Sequence, residues 1–111
     1  MSIVNGNVLR PFPGKRSIAE ARLKKMASVF ERFGVTAKTT NFVAGEYAGC
    51  IGLMRSYPDM KTGFATLAKL ANDAEAQEIR NSRETDPAGE MVVDRMVGRS
   101  IFGEAKWASN P

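Results

Sequence analysis

Ser17-Ile18-Ala19-Glu20-Ala21-Arg22-Leu23-Lys24-Lys25-Met26-Ala27-Ser28-Val29-Phe30-Glu31-Arg32-Phe33-Gly34 opens on a capping box and closes on a glycine. The Ser17 hydroxyl is placed to accept an N-terminal amide, and Glu20 to reach back to the cap amide. Ala19, Leu23, Met26, Ala27, Phe30 and Phe33 recur at helical spacing and form one apolar stripe. Arg22, Lys25 and Arg32 fall largely off that stripe, and Glu20 with Lys24 makes a favourable i,i+4 pair. Gly34 supplies the left-handed stop, with Val35 placed for the accompanying apolar contact. A helix over about residues 18–33 follows.

Working outward, Ile3 to Phe12 carries Ile3, Val4, Val8, Leu9 and Phe12 before Pro13-Gly14 ends it, and reads as the first strand. Gly6 inside Asn5-Gly6-Asn7 marks a bulge or a late start. On the other side, Val35 to Ala44 is rich in Thr and β-branched residues and reads as the second strand. Gly45-Glu46 begins a turn, and Ala48 to Tyr57 is the third strand, closed by Pro58. Asp59 is a good N-cap for a helix whose apolar face is Met60, Phe64, Leu67, Ala68 and Ala71. Asn72-Asp73 interrupts it, and a further helical segment runs from Ala74 to about Arg83. After the turn Asp86-Pro87-Ala88-Gly89, Glu90 to Phe102 holds the fourth strand. One domain over residues 1–102 is expected, followed by a polar tail over 103–111 that carries Trp107.

The order β-α-β-β-α-β is that of the ferredoxin-like, split-βαβ plait, an α+β fold with a four-stranded antiparallel sheet and helices on one face. Each helix has one apolar stripe and covers one sheet face. The strands, however, are apolar on both parities. Cys50 and Met54 oppose Ile51, Leu53 and Tyr57, while Met91, Val93 and Val97 oppose Val92 and Met96. The second face needs another cover, and a second subunit is the economical one. A homodimer is therefore expected.

The totals narrow the chemistry. The chain has 111 residues, enough for about one domain. It has no histidine and a single cysteine, Cys50. That combination excludes imidazole or thiolate zinc sites, proximal-His haem, and Ser-His-Asp or Cys-His nucleophiles. No metal or cofactor is expected, and any enzyme chemistry would pass through Asp, Glu, Lys, Arg or Tyr. The lone thiol, the lack of a signal-like N-terminus and the absence of a run near the ~20 apolar residues of a membrane span lead to a cytoplasmic, membrane-free expectation. Sixteen basic against 12 acidic residues give a net charge of +4, interspersed rather than blocked.

Gly45-Glu46-Tyr47-Ala48-Gly49 leads into the strand Cys50 to Tyr57. Pro58-Asp59-Met60, Gly63-Phe64-Ala65-Thr66-Leu67 and Asn72-Asp73-Ala74-Glu75-Ala76-Gln77 follow. With these stretches the chain resembles the dimeric α/β-barrel superfamily, and within it the NIPSNAP-like and antibiotic-biosynthesis-monooxygenase-like small domains. The likeness covers about residues 3–102 as topology and about 45–77 as sequence texture. It implies a plait that dimerises. It implies no single reaction, because the superfamily includes cofactor-free oxygenases, isomerases, haem-binding enzymes and decarboxylases. The haem branches use a histidine that this chain lacks, and the Asn-Trp-His set of the oxygenase branch has no counterpart here. Any activity would be that of a His-free, cofactor-independent oxygenase or isomerase.

Arg10, Arg55 and Arg95 lie on the first, third and fourth strands, which are neighbours in this plait. If their registers align they line one cavity and hold a small organic anion, with Asn41, Tyr57 and Tyr47 as further donors. The plainer reading sends each arginine to solvent or pairs it with Asp94, Glu46 or Glu90. Cys50 reads as a small buried hydrophobe, and Met26, Met54, Met60, Met91 and Met96 as core or interface. The alternative to ligand binding is a structural or interaction protein that uses its sheet face for dimerisation. An RNA-recognition plait has the same strand order, but it needs stacking aromatics on the first and third strands. Here Tyr47 is followed by Gly49 and Ile51, and nucleic acid is disfavoured as a partner.

Overall fold

The computed structural model describes residues 3–99. Trp107, the tail and the expected end of the last strand at Phe102 lie outside the described residues. Among the described residues, three helices and four strands run in the order β1 (Ile3–Pro11), α1 (Arg16–Arg32), β2 (Thr36–Asn41), β3 (Ile51–Tyr57), α2 (Met60–Leu70), α3 (Ala74–Thr85) and β4 (Gly89–Arg99).

Helix α1 starts earlier than its capping box implies. Gly14, at φ +78°, turns the chain so that Lys15 N–H donates to Phe12 O at 3.0 Å, and Lys15 O accepts the first helical bond from Ala19 at 3.0 Å. Lys15 is thus the N-cap, without a side-chain cap, and Ser17 sits exposed in the first turn. Glu20 pairs backward with Arg16 at 3.9 Å rather than forward with Lys24. The other end follows the sequence. Val35 N–H donates to Phe30 O at 3.1 Å and Gly34 N–H to Glu31 O at 2.9 Å, around Gly34 at φ +80°, which is a Schellman stop. Val35 is buried in the same cluster as Phe30.

Strands β2 and β3 are shorter than expected because the segment between them closes on itself. Phe42 N–H donates to Cys50 O at 3.0 Å and Gly49 N–H to Phe42 O at 2.8 Å, with Gly45 and Gly49 both at positive φ. The sheet order is β2-β3-β1-β4, all antiparallel, with β1 and β3 central as the plait requires. Asp59 caps α2 by accepting Thr62 N–H at 2.7 Å, and Asp73 caps α3 by accepting Ala76 N–H at 3.0 Å.

Ile51, Leu53, Arg55 and Tyr57 face the helices, together with their β1 partners Leu9, Asn7, Asn5 and Ile3. The main core joins Leu53 and Tyr57 to Ala27, Val29 and Phe30 of α1, Leu70 of α2, and Ala76 and Ile79 of α3. A smaller cluster joins Ile51 to Ala19 and Ala88. The opposite parity, with Val4, Gly6, Val8, Gly52, Met54 and Met96, forms the second face. Phe42 reaches part of it: a Cβ at Gly52 would lie 3.0 Å from the Phe42 ring.

Two further expectations change. Most of the apolar stripe assigned to α2 points outward, with Phe64 61% and Met60 44% exposed, while its Leu67 packs against the main core. The helix buries Gly63, Thr66 and Leu70 instead, because Gly63 lets its backbone settle on the Tyr57 ring. The bulge expected at Gly6 belongs to the partner strand. Gly6 to Leu9 takes three steps along β1 while the paired Met96 to Met91 takes five, so β4 holds two extra residues. Val93 consequently pairs with Val8 on the second face, beside Met96 rather than opposed to it. Gly6 instead lies under Met54: a Cβ there would meet the thioether and require that flexible side chain to shift.

Candidate functional site

A cleft of about 560 Å³ lies between the helix-facing side of the sheet and the helices. Its size is ordinary for a small-molecule site. Leu9, Leu23, Met26, Phe30, Leu53, Ile79 and Met91 give it apolar walls. They do not fill it. Among the described residues, five arginines also line it, Arg22, Arg55, Arg80, Arg83 and Arg95, against the two carboxylates Glu84 and Asp94.

Arg55 is the buried member, 8% exposed on the central strand β3. Its Nη2 donates to Asn5 Oδ1 at 2.8 Å, on the paired residue of β1. Its guanidinium carbon lies 5.0 Å from the Phe30 ring centre, in cation–π range. Its Nε has no hydrogen-bond partner among the described residues, and neither has the hydroxyl of Tyr57, two residues along on the same face. Burial, helped by the like charge of Arg95, lowers the Arg55 pKa against the opposing influence of Tyr57. Burial raises the Tyr57 pKa, with Arg55 pulling it the other way. The phenol and the guanidinium therefore feel each other electrically, although no hydrogen bond of good geometry joins them. An arginine remains cationic under such shifts, so the cleft floor carries a fixed positive charge.

The other arginines differ in how firmly they are held. Arg22 donates to Asp86 O at 2.7 Å and pairs with its carboxylate at 3.4 Å. Arg80 donates to Leu70 O at 2.9 Å. Arg83 and Arg95 make no ion pair among the described residues. Partial burial, then the positive charges of Arg80 and Arg22, lower the Arg83 pKa. These cations stand close enough to repel one another.

Of the five residues expected at the site, Arg55 and Arg95 come together on the void. Tyr57 adjoins Arg55 from its place beneath Gly63. Arg10 does not join them: it pairs with Glu90 at the far end of β1, on the second face, and is exposed. Asn41 ends β2 and accepts Arg16 Nη2 at 2.6 Å, away from the cleft. Tyr47 packs edge-on against Phe42 at 6.0 Å, in the loop after β2. Cys50 is buried. The sequence reading missed Asn5, Arg22, Arg80 and Arg83. One signal was available for the last two: Arg80 and Arg83 share a helical face with Ala76 and Ile79, the residues α3 buries.

No protein-family model matches the chain. No curated protein matches it either. Solved structures do. A NIPSNAP family protein from Agrobacterium tumefaciens superposes with a TM-score of 0.71 at 14% identity, covering 95% of this chain and 98% of that one. Rv0793 from Mycobacterium tuberculosis gives a TM-score of 0.67 at 14% identity, covering 95% and 99%. A NIPSNAP-like domain protein from Burkholderia xenovorans gives 0.57 at 16% identity, covering 93% and 88%. At such identities the likeness concerns the fold, and it extends over nearly the whole chain.

Proposed function

We propose that this α+β plait, which has the fold of NIPSNAP-like small domains, receives a small anionic organic molecule in the cleft between sheet and helices. The observation that carries the reading is the excess of guanidinium over carboxylate around an apolar void, with Arg83 and Arg95 free of ion pairs among the described residues. Positive charges grouped in a partly desolvated concavity repel one another, and an anion relieves that repulsion while gaining charge-assisted hydrogen bonds. Asp94 and Glu84 also border the void. They are the acid–base groups that a His-free isomerase or oxygenase reaction would use.

A thermal-shift screen tests the reading. Carboxylates and phosphate esters are compared with their neutral amides and alcohols at low ionic strength. A ligand at 100 times its Kd stabilises by about 2.7 kcal/mol, well within detection. Anions should raise the melting temperature where their neutral analogues do not. Equal shifts for both classes, or none beyond that of added sodium chloride, would refute it.

A second observation favours pairing of the chain with its own copy. The second sheet face presents Val4, Val93, Met54 and Met96, the last 37% exposed, while α1, α2 and α3 all lie on the other side. A homodimer through this face would bury apolar area that the three helices leave uncovered. Met96→Asp should then shift the sedimentation coefficient from dimer to monomer. A monomeric parent protein at micromolar concentration would rule the dimer out.

A further inference from the structure

The two cleft arginines without an ion pair among the described residues, Arg83 and Arg95, stand on opposite walls, Arg83 on α3 and Arg95 on β4. Both line the void and both are exposed, so a solute can reach them. Each has its own cationic neighbour. On the helix wall, burial and then the like charges of Arg80 and Arg22 lower the Arg83 pKa. The charge of Arg22 is met by the Asp86 carboxylate at 3.4 Å, whereas Arg80 is held by a carbonyl, Leu70 O. On the sheet wall, burial, helped by Arg95, lowers the Arg55 pKa. With Arg22 matched, each wall sets two arginines against one carboxylate among the described residues. Arg80 and Arg83 face Glu84, and Arg55 and Arg95 face Asp94. Each wall therefore keeps a single surplus positive charge. The lining around these charges is hydrocarbon, with Leu9 and Met91 from the sheet and Leu23, Met26 and Ile79 from the helices. Surplus charge on two sides of an apolar void sets the shape of its complement, which is one anion at each end with hydrocarbon between. A compact polyanion or a monoanion would match one wall and leave the other unmet.

We infer that the cleft takes a dicarboxylate whose two ends are separated by an apolar body, one end meeting Arg83 on α3 and the other Arg95 on β4. This deepens the anionic-ligand reading and rests on it. Each carboxylate accepts charge-assisted hydrogen bonds from a guanidinium that is not committed to a partner among the described residues. Arg55, its Nη2 already held by Asn5 at 2.8 Å, contributes charge from within the sheet rather than a bond to the ligand. The apolar body lies along Leu9, Leu23, Met26 and Ile79.

The test is calorimetric titration of the full chain with suberate and terephthalate, set against their one-ended counterparts octanoate and benzoate and against short succinate. The suberate and octanoate titrations are repeated on Arg83→Gln and Arg95→Gln. Each diacid should bind at least about tenfold more tightly than its monoacid, as for one added hydrogen bond between charged groups. Suberate should exceed succinate, by about threefold for each further methylene that is buried. Either variant should weaken suberate about tenfold, to the level of octanoate, again the worth of one charged hydrogen bond. Octanoate, free to use the other wall, should lose much less. If a variant does not fold, the comparison of suberate with octanoate on the parent chain decides alone. Equal affinity for the two overturns the two-ended reading, and so does a loss of suberate binding confined to one variant. In either case the anionic cleft still stands. No binding of any of the five acids removes both.

Discussion

Gly63 sits in the interior of α2, where glycine is a poor choice for a helix, and its backbone rests on Tyr57. A Cβ added there would stand 3.4 Å from Tyr57 Cγ, 3.5 Å from Cδ2 and 3.7 Å from Cδ1. Those are contact distances, so Gly63→Ala fills space without demanding that the ring move. Replacing an interior helical glycine by alanine is worth about 1 kcal/mol in backbone entropy and solvation. Burial of the new methyl against the ring adds up to about 0.8 kcal/mol if no strain develops. The net expectation is stabilisation by about 1 kcal/mol. At about 4–8 °C per kcal/mol for a small domain, the melting temperature should rise by at least about 4 °C.

The assay is urea denaturation followed by far-UV circular dichroism, with the midpoint as readout and the slope checked for constancy. A control separates a propensity gain from a general effect of removing glycine. Gly89→Ala places its Cβ 2.7 Å from Arg10 O and 2.9 Å from Leu9 Cγ, the first of which is backbone and cannot swing away. It should lower the midpoint. If Gly63→Ala also lowers it, α2 does not lie on Tyr57 as described, and the placement of the Tyr57 hydroxyl beside Arg55 fails with it.

Other perturbations test the remaining links. Tyr57→Phe deletes a buried hydroxyl that has no partner among the described residues, so it should leave stability at neutral pH unchanged or raise it by up to about 1 kcal/mol. A clear loss in equilibrium unfolding would mean that the hydroxyl is bonded. The Tyr57 pKa is raised in the folded state, so the folded form resists ionisation. Its contribution is full below the ordinary tyrosine value near 10 and is lost as pH rises through the folded value. Tyr57→Phe should accordingly flatten the alkaline decline in melting temperature. The carboxyls of Asp59 and Asp73 move the other way. Their pKa values are lowered chiefly by accepting Thr62 N–H and Ala76 N–H, and for Asp73 by Arg32 at 3.0 Å as well. Their contribution is present above the ordinary carboxylate range and is lost as pH falls through it. Asparagine caps helices about as well but does not titrate, so Asp59→Asn with Asp73→Asn should flatten the acid limb of the melting profile. An unchanged acid limb would refute the capping roles.

What the sequence disclosed and what it hid divide along a physical line. Signals that act within a few residues were legible: the Gly34 stop, the Asp59 cap and the two-sided apolarity of β3 all describe the folded chain. Even here a neighbouring turn won once, since Gly14 started α1 at Arg16 and left the Ser17 box unused. Features that depend on how elements meet were hidden. Met60, Phe64 and Ala68 are as periodic as Gly63, Thr66 and Leu70, and hydrophobicity chose the first set. The helix buries the second because a small residue permits closer approach to the sheet. The site followed the same division. Arg55 was readable from strand parity, and Arg95 from the position of β4 beside β1, whereas Arg10 lies at the end of β1 and its parity sends it to the other face. The extra residues in β4 place Asp94 and Arg95 side by side at the cleft, an arrangement that simple alternation does not produce. Arg95, brought to the void by the bulge, is an exposed like charge that helps to lower the pKa of the buried Arg55. That grouping of cations is the reason for proposing the cleft, rather than the open sheet face alone, as the part of this molecule on which function acts.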